Sequence, residues 1–170
     1  MKWTTRNIAL CAVLAALALG LSTLEGLFPL SLIVPLPGVK LGLANIVTVF
    51  ALYRLGPVPA LTVLVLRCML GSIFAGNMSA LLFSLLGGLA AMAVMLLLRK
   101  LRGLSVYGVS MGGAAAHNVG QICAAMLVLG GTEVLGYLPV LLVVALFTGA
   151  LTGFVTALLL RATRHIDFTI

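Results

Sequence analysis

Six apolar runs fill this sequence almost end to end, each near the length a helix needs to cross a bilayer. A spanning helix takes about 20 apolar residues. The runs lie at roughly 7–28, 40–55, 57–75, 78–98, 106–129 and 135–160. Such a chain cannot bury its apolar surface in a water-soluble core. Hydrophobic residues make up 63% of the 170 and charged residues 8%, against about 25% charged in a soluble domain. The expectation is an all-α integral membrane protein, a six-transmembrane-helix bundle forming one domain over residues 1–170. No cleaved signal peptide is expected, because the first run continues to about residue 29 without a small-residue exit.

The second run is short and follows "FPLSLIVPLPGVK", with Pro29, Pro35 and Pro37. Proline removes a backbone donor and clashes with the preceding helical turn. Residues 28–39 therefore read as an irregular or re-entrant loop after the first helix. Apolar backbone of that kind survives at membrane depth only against protein or a cavity.

Lysine and arginine set the orientation. With the N-terminus in the cytoplasm, Lys2, Arg6, Arg54, Arg99, Lys100, Arg102, Arg161 and Arg164 all fall inside, eight of the ten basic residues. Lys40 falls outside and Arg67 lies within the third span. Both termini are predicted cytoplasmic. The net charge of +7 then follows from topology and does not imply nucleic acid.

Charged side chains in the bilayer are costly and mark pairs or sites. Arg67, in "VLVLRCMLGS", sits halfway along its span. It either pairs with Glu25, the one acid within any proposed span, or holds an anionic group of a substrate, as its forked guanidinium suits. In "AAAHNVGQICAAM", His117 and Gln121 are four apart and share a helix face, with Asn118 beside them and Ala114 and Ser110 extending the stripe. The stripe is either an interhelical hydrogen-bond cluster or a ligand site. Lys40 and Asn45 in "PGVKLGLAN", and Asn77 and Ser79 in "GSIFAGNMS", collect at the outer side. The site reading puts His117, Asn118 and Gln121 on the floor of an outward-facing cavity, Arg67 and Asn45 beside them, and Lys40 and Asn77 at its mouth. A planar, partly anionic molecule would suit it.

Small residues recur every four positions at Ala12, Ala16 and Gly20, and again at Gly149 and Gly153. Each set can serve internal packing or the docking of a membrane partner. Cys11, Cys68 and Cys123 are widely separated in apolar runs and read as small buried hydrophobes. No metal site or cofactor is expected, since His117 has no second histidine near it. The acids are Glu25, Glu133 and Asp167, too few for paired Mg²⁺-holding carboxylates, and there is no Walker A sequence. The chain is not expected to be an enzyme.

"PGVKLGLANIVTVFALYRLGP", "LRCMLGSIFAGNMSALLFSLLGG" and "AHNVGQ" resemble the bacterial Gx transporter family, also labelled heptaprenyl diphosphate synthase component I. That family is similar to the substrate-binding S components of energy-coupling factor transporters. The resemblance implies a six-helix protein of the bacterial cytoplasmic membrane with an outward-facing site. It would dock on a membrane coupling subunit, driven by ATPases, through small residues of the first helix, which Ala12 and Ala16 match. It further implies a substrate such as a flavin nucleotide or a quinone or isoprenoid precursor. Two other roles remain: a non-transporting partner of a quinone- or flavin-handling redox complex, and an accessory subunit of a prenyl diphosphate synthase.

Overall fold

The computed structural model describes residues 4–27 and 40–166, and the loop expected at 28–39 lies outside them. Among the described residues six α-helices follow one another: α1 (Thr5–Glu25), α2 (Asn45–Arg54), α3 (Pro57–Ala75), α4 (Met78–Lys100), α5 (Val106–Leu129) and α6 (Leu138–Ala162). A 3-10 turn at Glu133–Tyr137 leads into α6. No strand occurs among the described residues. Five helical segments, all but α2, are long and apolar enough to cross a membrane. Their outer faces carry exposed side chains such as Leu17, Ile73, Phe74, Leu127 and Phe147. This is the surface of a multi-pass membrane protein, which lipid covers.

The helix boundaries follow local chemistry. Thr4 and Asn77 cap α1 and α4 with side-chain oxygens that accept from Asn7 N–H and Ser79 N–H. Pro57 opens α3, where its missing donor is not needed. The fourth helix runs two residues past the expected 98, because Arg99 and Lys100 favour the negative end of a helix.

The second helix departs most from expectation. Ten residues make it about 15 Å long, half the thickness of a bilayer core. It begins late because Gly42 turns the chain at φ +86°, a conformation open to glycine at little cost. The Gly42 N–H donates to the Glu25 carboxylate of α1. The apolar run at 40–55 is therefore a buried turn followed by a half-length helix.

Glycine seams draw α4, α5 and α6 together. A Cβ on Gly120 would lie 2.6 Å from the Leu86 carbonyl oxygen of α4. One on Gly149 would lie 2.6 Å from Met111 Cα, and one on Gly153 2.9 Å from Tyr107 Cα. The Gly149–Gly153 spacing is thus spent inside the bundle. On the other side, Cys11, Ala15 and Ala18 of α1 pack against Val47 and Val63. Cys11 and Cys68 are buried as expected, but Cys123 is exposed on the outer face of α5.

Arginines bind the far ends of the helices. Arg54 Nη2 donates to the Leu160 carbonyl at 3.0 Å and to Thr163 Oγ1 at 3.2 Å. Arg99 Nη1 donates to the Leu52 carbonyl at 2.6 Å, and its guanidinium lies 5.1 Å from the Tyr53 ring centre. The ends of α2, α4 and α6 thus share one basic rim. The N-terminal end of α2 points the other way, toward the interior.

Candidate functional site

The half-length of α2 leaves its first residue deep in the bundle, and polar groups gather around it. Asn45 opens the helix and is 4% exposed; its Oδ1 accepts from Arg67 Nη2 at 3.4 Å. Arg67 projects from the middle of α3, is 5% exposed, and its Nε–H has no partner. Gly42 brings the turn against His117 of α5: a Cβ there would lie 3.2 Å from the ring and 3.1 Å from the Asn45 amide nitrogen. The positive φ and this close approach both favour glycine here, and the turn, α2 and α5 meet at one point.

His117 and Gln121 form the other wall. Gln121 Nε2 lies 3.1 Å from His117 Nε2. An amide nitrogen donates, so Nε2 accepts in this arrangement and the ring proton sits on Nδ1. That nitrogen faces Gly87 of α4, where a Cβ would come within 2.9 Å. Gln121 is fully buried, and its Oε1 has no partner. Buried polar atoms without partners are uncommon, and each needs a reason.

Charge enters at the C-terminal end of α1. Lys40 is half-buried and its Nζ donates to Ser22 Oγ of α1 at 2.9 Å. Glu25, three residues further along α1, accepts from the Gly42 N–H. It makes no ion pair with Arg67, because its oxygens are used to hold the turn before α2. Lys40 and Arg67 both lie near enough for their charge to act on Glu25 and on His117. The cluster is therefore one electrostatic unit.

Five of the seven expected binding residues meet here: Lys40, Asn45, Arg67, His117 and Gln121. The other two are placed differently. Asn118 turns its amide to α6, donating to the Leu141 carbonyl at 2.6 Å. Ser110 and Ala114, which extend the stripe, also face α6, beside Gly153 and Gly149. Asn77 is exposed, and its side chain is engaged in capping α4. Sequence reasoning passed over Ser22, Gly42 and Gly87. A serine one turn before the only acid within a span was a usable signal. The glycines were not, since their role depends on which ring packs on them.

The expected docking residues lie outside this cluster. Ala12, Ala16 and Gly20 are exposed along one side of α1, while Cys11, Ala15 and Ala18 face inward. Ala16 and Gly20 also edge an apolar groove of about 400 Å³ between α1, α2 and α6, floored by Ile46 and Val47 and closed by Val155 and Leu159.

A family model described as heptaprenyl diphosphate synthase component I matches residues 14–159. The match runs from α1 to α6 and takes in the whole polar cluster; of the residues named above for function, only Ala12 lies outside it. No curated protein and no solved structure matches the chain.

Proposed function

The chain belongs to the heptaprenyl diphosphate synthase component I family, and on that premise we propose that it is a membrane substrate-binding and translocating subunit of the S-component kind. One observation carries the reading. Arg67 Nε and Gln121 Oε1 are buried, lack partners, and lie beside the inner end of a half-length helix. Irregular or interrupted backbone at membrane depth is characteristic of transporter binding sites. A bound molecule would satisfy those atoms together, with apolar walls for its body.

The candidate ligands are small, planar and partly anionic, such as a flavin nucleotide or a quinone or isoprenoid precursor. Lys40 would guide the anionic part inward and Arg67 would hold it. The chain would cross a bacterial cell membrane six times, with both termini cytoplasmic. Ala12 and Ala16 would dock a membrane coupling subunit driven by ATPases.

The protein would not itself be an enzyme. Three acids in the whole chain cannot build the paired-carboxylate Mg²⁺ sites that diphosphate chemistry uses. The family description favours one other reading, an accessory membrane subunit for a prenyl diphosphate synthase. Gentle purification followed by native mass spectrometry decides between them. A retained small molecule with ATPase partners supports the transporter reading. A retained soluble prenyl synthase, with no small molecule, sinks it in favour of the accessory role.

A further inference from the structure

On the side of the bundle away from α1, an apolar groove ends beneath unpartnered cations. Pro57 and Leu61 of α3 face Leu89, Met92, Ala93 and Leu96 of α4 across a groove of about 270 Å³. The four α4 positions have the spacing of one helix face. Lys100 continues that face, four residues beyond Leu96 and last in the helix. A helical side chain covers the turn before its own Cα, so Lys100 stands at the end of the groove. Arg102 follows just past the helix.

The charge at this end is unanswered. Lys100 and Arg102 are exposed and make no hydrogen bond or ion pair among the described residues. Their neighbours are used otherwise: Arg99 donates to the Leu52 carbonyl and Arg54 to the Leu160 carbonyl. No acid among the described residues offsets them. Glu25 ends α1 and Glu133 precedes α6, both at the opposite end of the bundle, and Asp167 lies outside the described residues. Leu97, Leu101 and Leu104 are exposed among the cations. A water-soluble acidic protein offers those leucines nothing, whereas a phospholipid has a phosphate for the cations and chains for the leucines.

We propose that this groove is a specific site for one anionic phospholipid of the surrounding bilayer. An acyl chain lies between α3 and α4, and Lys100 and Arg102 hold the headgroup phosphate. The depth agrees: α4 is long and apolar enough to cross a membrane, which brings its last residue to headgroup level. Basic pockets between spanning helices take anionic headgroups in this way. A zwitterionic lipid fits less well, because its own cation competes with Lys100 and Arg102 for the phosphate. The site is separate from the polar cluster around Asn45 and does not depend on what that cluster binds.

The test titrates dioleoylphosphatidylglycerol and dioleoylphosphatidylcholine into the full chain in non-ionic detergent, with bound lipid counted by native mass spectrometry. Phosphatidylglycerol should bind as a single copy, at least about fivefold more tightly than phosphatidylcholine, the scale of one cation beside an anionic lipid surface. Lys100→Gln should remove about that factor, and Arg102→Gln should act in the same direction. Ala93→Trp, at an exposed position in the groove, should weaken both lipids. Arg161→Gln removes the same charge from α6, which packs on α2 and α5, and should leave the tight copy in place. The lipid-free unfolding midpoint of each variant separates lost binding from lost fold. Equal losses from Arg161→Gln and Lys100→Gln overturn the site in favour of diffuse attraction to the whole basic end. Phosphatidylglycerol binding untouched by Ala93→Trp overturns the groove as its seat. Equal binding of the two lipids overturns the anionic assignment and leaves the cations to an acidic protein partner.

Discussion

Two helices of this protein carry small residues four apart, and they use them oppositely. On α6, Gly149 and Gly153 press against the backbone of α5 at Met111 and Tyr107. On α1, Ala12, Ala16 and Gly20 look outward, while the inward positions are Cys11, Ala15 and Ala18. The spacing alone says only that a close approach is possible. What decides its use is which face the rest of the bundle covers. The α6 seam is already filled, so it is a packing device. Among the described residues no helix covers the α1 stripe, and it borders an apolar groove.

The difference can be broken at its strong end first. Gly149→Leu should cost the most, at least about 1–3 kcal/mol from overpacking against backbone that cannot yield, seen as lost folded yield and a lower unfolding midpoint in detergent. A Gly149→Leu protein that melts like the parent would mean the two helices do not meet there. Next is Asn118→Leu, which removes the α5–α6 bridge to the Leu141 carbonyl. Interhelical hydrogen bonds in membranes are worth about 0.6 kcal/mol and up to about 1.7, so a small drop in midpoint is expected, with ligand binding retained. Gln121→Ala should add a binding defect: binding weakened by about 1–3 kcal/mol, with a lowered midpoint of the ligand-free protein as well, since its bond to His117 and its buried volume are both lost. Should Gln121→Ala lower the midpoint yet leave binding unchanged, the His117–Gln121 pair is structural. Smallest of all is the effect of Ala16→Leu on folding, within about 0.5 kcal/mol as at other uncovered positions. The same change should abolish co-purification of a coupling subunit; intact assembly would remove the stripe from the proposed interface.

The helices themselves were readable because apolar length is a composition signal that tertiary structure does not alter. Five of the six expected runs became full-length helices with ends within a few residues. The exception, α2, is shortened by a contact between Glu25 and Gly42, residues from different runs whose meeting no periodicity encodes. The polar stripe was also readable as a stripe, since residues four apart share a face whatever the fold. Its division was not: Asn118 and His117 are adjacent in sequence, yet one serves α6 and the other faces α4 and the turn before α2. Asn77 could have been read locally, because Asn followed by Met-Ser-Ala at the start of an apolar run is a helix cap. Its position at an outer turn drew it into the site instead.

The half-length of α2 has a consequence for how the protein is made. Ten residues are too few to partition into the bilayer as an independent span, so this segment cannot settle as it leaves the ribosome. Glu25, which holds the turn before it, has already been synthesised, but Arg67 and His117 have not. Asn45 and the Gly42 turn can be enclosed only once α3 and then α5 have been made. The polar cluster would be among the last parts of the chain to assemble, after the apolar helices that surround it.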